Sequence, residues 1–151
     1  MEKFRLICGI DVSKATLAVA VLQSGSMLHQ QTYSNDRAGI DALCQTLAQW
    51  ETDPSQILVC LEHTGVYIEK LTELLSQTEH FVWVVNPLVI KYARVSFERL
   101  KTDAVDARKI AQFAHMMQVR AQQYQPLKAQ QRQMKNLFRL RRQLVLSLIH
   151  I

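Results

Sequence analysis

The chain has 151 residues and is basic, with a formal net charge of +5 at pH 7. Its hydrophobic fraction of 48% excludes a disordered tail and is enough for one folded core of ordinary size. No apolar run is long enough to cross a bilayer, and the start MEKFRLICGIDVSK is too polar for a signal peptide. We therefore expect a cytoplasmic protein that has no membrane partner.

The three cysteines, Cys8, Cys44 and Cys60, agree with that compartment. They are odd in number, scattered along the chain and surrounded by apolar residues, and no Cys-x-x-Cys pair occurs. This pattern predicts buried thiols in a reducing environment, and neither disulfides nor zinc ligands.

Charge is distributed unevenly along the chain. Residues 1–85 carry five basic and ten acidic side chains, whereas residues 86–151 carry thirteen basic and three acidic ones. From Ala107 onwards there are nine basic residues and no acidic one. The asymmetry predicts a polyanionic partner that contacts mainly the C-terminal half, although a solvated basic helix surface would give the same pattern.

The first part of the chain is predicted to form three strands. FRLICGID (4–11) is an apolar run that ends in polar residues, ATLAVAVLQ (15–23) is a second run, and MLHQQTYS (27–34) follows the turn residues SGS. Because the connections are short, we expect an antiparallel meander.

Helices and strands then alternate. A helical stripe of apolar residues runs through 36–51, with Asn35 or Asp36 as its cap. The later segments are predicted as a strand at 57–62, a helix at 66–77, a strand at 81–86, and helices at 87–98, at 103–117 and from Leu127. The order β-β-β-α-β-α-β-α predicts an α/β fold, a mixed sheet flanked by helices, and it is the order of the ribonuclease H-like fold.

Four carboxylates fall at the ends of these elements. Asp11 ends the first strand, Glu62 ends the fourth, and Asp103 and Asp106 open a later helix. If strands one and four are neighbours, Asp11 and Glu62 lie side by side, with the helix start docked across them. Carboxylate oxygens are the ligands that magnesium prefers, so the joint placement predicts a divalent metal site.

A plainer interpretation exists for each of these residues. Asp103 and Asp106 lie on one helix face, where like charges repel, but Asp103 could be an N-cap and Asp106 a first-turn residue favoured by the helix dipole. Asp11 alone could begin a turn, and Glu62 could be a surface carboxylate. The metal site is favoured because all four occur together in this order of elements.

Four segments carry a resemblance to a known family: GIDVSK (9–14), LEHTGVY (61–67), VVNP (84–87) and KTDAVDARKIAQFA (101–114). Together they resemble the N-terminal domain of the insertion-sequence transposases with a DEDD tetrad, a family that includes the pilin-gene DNA invertases. That domain is similar to the Holliday-junction resolvase RuvC, which is itself ribonuclease H-like. The segments occur in the family's order and cover most of residues 5–120.

The resemblance implies a function. Asp11, Glu62, Asp103 and Asp106 would be the catalytic tetrad and would bind Mg²⁺ or Mn²⁺, with two ions as in related phosphoryl-transfer sites. The enzyme would cleave and transfer DNA strands, choose its sites through a structured bridge RNA, and work as a dimer or tetramer.

The resemblance also implies a domain organisation. We expect a RuvC-like catalytic domain over residues 1–120 and the start of a helical, coiled-coil extension over 121–151. Family members continue to a second domain with a catalytic serine, so we expect this chain to be truncated. The end, LSLIHI (146–151), matches an in-frame translation of a widely used sequencing adaptor and is expected to be a library scar.

Several basic residues are expected to contact nucleic acid. Arg132, Arg139, Arg141 and Arg142 lie on the helical extension, where a solvated helix surface is the competing interpretation. The complete set is Lys14, Lys101, Arg108, Arg132, Arg139, Arg141 and Arg142.

Two other functions remain open. The chain could be a nucleic-acid-binding fragment whose carboxylates are inherited but idle. It could also be an actin-like ATPase domain, which opens with a similar Gly-Ile-Asp. That class places Gly and Thr after the aspartate so that backbone amides can approach phosphate, whereas Ser13 and Lys14 stand here. The ATPase is the weaker alternative.

Overall fold

The computed structural model describes residues 1–93 and 102–150. Within them, five strands form one sheet in the order β3-β2-β1-β4-β5. The strands are β1 (Leu6–Val12), β2 (Thr16–Gln23), β3 (Ser26–Ser34), β4 (Ile57–Glu62) and β5 (Phe81–Val85).

Strand direction follows the prediction. β1, β2 and β3 form an antiparallel meander, and β4 and β5 are joined to β1 as parallel strands. β1 is therefore the central strand. Its sequence LICGIDV is almost wholly buried because helices cover both faces of the sheet, and this explains why its apolar residues run continuously rather than alternating.

Among the described residues, five α-helices accompany the sheet: α1 (Arg37–Ala48), α2 (Glu69–Gln77), α3 (Pro87–Tyr92), α4 (Asp103–Met117) and α5 (Ala129–Ile149). Short 3₁₀ turns occupy Pro54–Gln56, Gly65–Ile68 and Gln118–Arg120. The predicted helix 36–51 is shorter than expected, and the first turn of the predicted helix 66–77 is 3₁₀. Residues 94–98 of the predicted helix 87–98 lie outside the described residues.

The core has two layers, one on each face of the sheet. Leu6, Cys8 and Ile10 of β1 face α1 and α2, which contribute Ile40, Leu43, Leu47, Leu71 and Leu75. The other face packs against α3 and α4, with Ile7, Leu58, Cys60, Ile90, Ala107, Ile110, Ala111, Phe113 and Ala114. Successive residues of β1 thus alternate between the two layers.

The cysteines are thiols, as predicted. Cys8 and Cys60 are buried in the two layers, and burial raises the pKa of both. Cys44 is only partly buried, at the margin of the core. A thiol held protonated in an apolar core is inert, so these residues have a packing role.

The segment after α4 continues to pack on the sheet before the last helix begins. The backbone N–H of Tyr124 donates to the carbonyl of Val82, 2.7 Å away, and Ala121 is buried. α5 follows with 21 residues, none of them buried. No helix in the described part of the chain is long and apolar enough to span a bilayer. The predicted domain boundary near residue 120 stays a prediction.

Gly9, at the middle of β1, is the point where α4 touches the sheet. A Cβ on Gly9 would lie 2.3 Å from the backbone N of Ala111 and 2.5 Å from the backbone O of Ala107. Both atoms are backbone, so a larger residue could be accommodated only by moving the helix. The alanines of α4 also allow the helix to lie close to β1, because their side chains are short.

Replacement of Gly9 tests this contact. We expect Gly9→Ala to lower the free energy of unfolding by about 3 kcal/mol, the upper range for an overpacked core, as measured by urea denaturation. Gly65→Ala is the comparison, because Gly65 has φ +80° but nothing within 4 Å of an added Cβ. That substitution should cost only about 1–2 kcal/mol, the strain of a left-handed residue. Equal losses for the two variants would contradict helix contact at Gly9.

Candidate active site

The register of the sheet places Asp11 beside Glu62. β1 and β4 pair in parallel from Leu6 with Ile57 to Ile10 with Leu61, and Asp11 and Glu62 are the next residue on each strand. Both strands end at the same edge of the sheet. The predicted adjacency of these two carboxylates therefore follows from the pairing itself.

Both side chains belong to the face that α4 covers. Residues of one strand alternate between faces, and Ile7 and Gly9 of β1 pack toward α4, as do Leu58 and Cys60 of β4. Asp11 and Glu62 continue these two rows. Each is partly buried, because the sheet edge opens to solvent beyond the start of α4.

α4 begins close to this edge, but its cap differs from the one considered for Asp103. Thr102 is the N-cap, and its side-chain oxygen accepts from the Val105 N–H at 3.2 Å. Asp103 and Asp106 occupy the first turn. Asp103 is exposed, whereas Asp106 is partly buried. The capping interpretation of Asp103 is therefore wrong, while the first-turn position of Asp106 is confirmed.

The negative charge of Asp106 acts on Glu62. Burial raises the pKa of the Glu62 carboxyl, and the negative charge of Asp106 raises it further. Lys109, one turn along α4, is 3.6 Å from Asp106 Oδ1 and partly compensates its charge. At Glu62, the net effect still disfavours the ionised carboxylate in the folded protein.

The chemistry of this edge fits a hard cation, but the four predicted ligands are not gathered equally. Asp11 and Glu62 end neighbouring strands, and the charge of Asp106 acts on Glu62. Asp103 is exposed in the first turn of α4. Within residues 1–93 and 102–150, no three His, Cys, Asp or Glu side chains are close enough together to hold a metal ion. A cation would therefore require side-chain movement at this edge.

Two neutral polar atoms near the edge also lack a hydrogen-bond partner among the described residues. They are Thr64 Oγ1, in the segment that follows Glu62, and Asn35 Oδ1, after β3, and both are buried. Buried polar atoms are almost always paired, and exceptions collect where a ligand or ion is handled. Carboxylate, hydroxyl and amide oxygens are the types of donor that Mg²⁺ and Mn²⁺ prefer.

The basic residues predicted to contact nucleic acid are distributed over several elements. Lys14 is exposed in the turn between β1 and β2, next to the carboxylate edge. Arg108 is partly buried on α4, which leaves little of it for a large ligand. Lys101 lies outside the described residues.

On α5, half of the predicted contacts are engaged with the domain. Arg132 Nη1 lies 3.2 Å from Glu73 Oε1, and Arg139 Nη2 lies 3.0 Å from Glu69 Oε1, which Lys135 also approaches at 3.2 Å. These pairs bind α5 to α2. Arg141 and Arg142 are exposed, and no ion pair joins either of them to another described residue.

Sequence patterns missed two features of the edge. Lys109 was not singled out, although its i, i+3 spacing from Asp106 was a usable signal. Asn35 was considered only as a helix cap. In the structure Asp36 caps α1, accepting from the Gly39 N–H at 2.8 Å, and the Asn35 side chain bonds to other segments.

Solved structures identify the fold. Thermus thermophilus RuvC in complex with a Holliday junction substrate aligns with a TM-score of 0.59 at 12% identity, over 79% of this chain and 99% of the RuvC chain. A second Thermus thermophilus RuvC structure gives a TM-score of 0.56 at 13% identity with the same coverage. The fold is therefore RuvC-like, within the ribonuclease H-like class, as the order of elements predicted.

The family follows from sequence. The model of the DEDD transposase family, described as a transposase, matches residues 8–150, and the chain belongs to this family. The pilin gene-inverting proteins of Moraxella lacunata and Moraxella bovis are each 31% identical to it over 106 residues, which is 70% of this chain and 33% of theirs. The chain thus spans about a third of the length of these relatives.

The raised pKa of Glu62 gives a test of the site without metal. Because the pKa of Glu62 is raised in the folded state, Glu62 contributes to the stability of the fold at pH values below its unfolded pKa. That contribution is lost as the pH rises through the folded pKa. In the presence of chelator, Glu62→Gln should therefore gain stability relative to the parent as pH rises from 4 to 7.

Asp106→Asn separates the two causes of the raised Glu62 pKa, which are burial and the charge of Asp106. It should weaken the pH dependence in part, because burial, the larger cause, remains. Urea denaturation of the three proteins across this pH range measures both effects. A Glu62→Gln difference that stays constant with pH, or an Asp106→Asn profile identical to the parent's, would contradict the electrostatic coupling.

Proposed function

We propose that this chain is the metal-dependent DNA-cleaving domain of a DEDD transposase. The observation that carries the proposal is the parallel register of β1 and β4, which sets Asp11 and Glu62 side by side, together with the charge of Asp106 acting on Glu62. Membership of the transposase family supplies the reaction class, DNA strand cleavage and transfer.

Each carboxylate has a place in this proposal. Asp11 comes from the central strand. Glu62 is beside it, and Asp106, with Asp103 three residues earlier in the same helical turn, would complete the set when side chains move. Bound Mg²⁺ or Mn²⁺ would stabilise the negative charge that develops on the phosphate oxygens.

DNA is the proposed substrate. The RuvC structure with a Holliday junction shows that a domain of this fold binds branched DNA in that protein. In this chain, the basic C-terminal half and the exposed Lys14 beside the carboxylate edge support the same partner. A structured bridge RNA and assembly into dimers or tetramers are proposed from the family alone.

An idle nucleic-acid-binding fragment is the second candidate. One observation favours it: in the described residues, no three potential metal ligands lie close enough together to hold an ion. Both candidates bind nucleic acid, and only the first cleaves DNA when metal is present.

Metal response tests the proposal. With chelator removed and millimolar Mn²⁺ added, the melting temperature of the parent should rise, since a ligand at a hundredfold excess over its Kd stabilises by about 2.7 kcal/mol. Asp106→Asn should show a much smaller rise. Asp41→Asn is the matched control, because it also removes an acid that is ion-paired along a helix, Asp41 with Arg37 at 3.2 Å. Its Mn²⁺ response should equal the parent's.

Cleavage of a labelled four-way DNA junction completes this experiment. We expect product with Mg²⁺, none with chelator and none with Asp11→Asn. A parent that is stabilised by metal and binds the junction without cutting it would favour the idle fragment. A parent without any metal-dependent shift in melting would contradict the metal site.

The nucleic-acid surface on α5 gives a separate prediction. Arg141→Gln with Arg142→Gln should weaken binding to duplex DNA and reduce the slope of log Kd against log salt by about 2, one for each lost phosphate contact. The control is Arg37→Gln with Lys70→Gln, which removes the same charge from the acidic half of the chain. Equal slopes for the two double variants would show that net charge, and not this part of α5, determines binding.

A further inference from the structure

The side chain of Asn35 joins the two segments that follow Asp11 and Glu62. Its Nδ2 donates to the carbonyl of Ser13 at 2.8 Å and to the carbonyl of Tyr67 at 3.1 Å. Ser13 is two residues after Asp11, and Tyr67 is five residues after Glu62. One amide group thus spans both loops at the carboxylate edge.

Asn35 is itself firmly placed. Its backbone N–H donates to the carbonyl of Ala15 at 2.9 Å, in the same turn as Ser13. That turn is closed by further bonds, since the Ser13 N–H donates to the Thr16 carbonyl at 2.9 Å. Of the two loops, the one after β1 is therefore rigidly attached to Asn35, and the side chain extends that attachment to the loop after β4.

The orientation of the amide is determined by its acceptors. Two carbonyl oxygens face the same end of the side chain, so this end must be the NH₂ group, which has two donors. A flipped amide would place its oxygen against both carbonyls. The cost of the observed orientation is that Oδ1 is buried without a partner among the described residues. An unpaired buried acceptor costs free energy, which the two bonds donated by Nδ2 must offset.

We infer that Asn35 is a positioning residue for the carboxylate site. By joining the segments after β1 and β4, it holds the two strand ends at a fixed spacing beyond the last β1–β4 pair, Ile10 with Leu61, and so keeps Asp11 and Glu62 ready to bind a divalent cation together. The inference rests on the proposed metal site. Capping of α1 does not explain the residue, because Asp36 performs that role.

Asn35→Asp tests the inference because two effects on metal affinity have opposite signs. The substitution keeps the shape of the side chain but replaces both donors with oxygens that repel the Ser13 and Tyr67 carbonyls. It also adds a negative charge, which alone would tighten the binding of a cation. We expect the Kd for Mn²⁺, measured by calorimetry on the intact chain, to rise about tenfold, the lower range for groups that orient metal ligands.

Asn35→Ala adds no charge and should also raise the Kd for Mn²⁺. This variant therefore tests the positioning role even if Asn35→Asp does not fold. Gln118→Ala is the matched control. Gln118 is another bridging amide, whose Oε1 accepts from the N–H groups of Lys3 and Phe4 at 2.8 and 3.1 Å, just before β1 and at its opposite end. Its loss should lower the melting temperature and leave the Kd for Mn²⁺ unchanged.

Amide hydrogen exchange adds a readout without metal. In Asn35→Ala, exchange should accelerate in residues 12–16 and 63–67 together, and not in the rest of the sheet. Tighter or unchanged Mn²⁺ binding in both Asn35 variants would overturn the positioning role while leaving the metal site intact. A parent chain that binds no Mn²⁺ would overturn the metal site, and this inference with it.

Discussion

The contact between α4 and the sheet at Gly9 determines how close the acidic residues can come. Because Gly9 has no side chain, the backbone of α4 at Ala107 and Ala111 rests directly on the central strand. Asp106 immediately precedes Ala107, so the same contact that packs the helix also carries Asp106 toward the ends of β1 and β4. A core interaction thus sets the electrostatics of the edge.

The close approach has an electrostatic cost that the fold compensates only in part. Burial and the charge of Asp106 both raise the pKa of Glu62, so ionised Glu62 opposes folding at neutral pH. In the described part of the chain, the repulsion is reduced by the N-terminal end of α4, which favours negative charge, and by the ion pair of Asp106 with Lys109. A divalent cation would reduce it more strongly.

The sequence predicts the parts of this arrangement that depend on local pattern. The strands, the first turn of α4 and the adjacency of Asp11 and Glu62 follow from apolar runs, connection lengths and strand order. The bonds of Asn35 to Ser13 and Tyr67 could not be predicted, because they join residues 22 and 32 positions apart through one side-chain rotamer. Thr102 and Asp103 are equivalent cap candidates by residue type, and only the backbone geometry distinguishes them.

The position of α5 shows why a net charge does not describe a binding surface. Arg132, Lys135 and Arg139 contribute to the basic C-terminal half, yet all three face the acids Glu69 and Glu73 of α2, 59 to 70 residues away in sequence. Such half-exposed pairs each contribute only about 0–1 kcal/mol, and no residue of α5 is buried. A phosphate backbone would compete with α2 for these side chains. The charge available to nucleic acid therefore depends on whether α5 remains docked on α2.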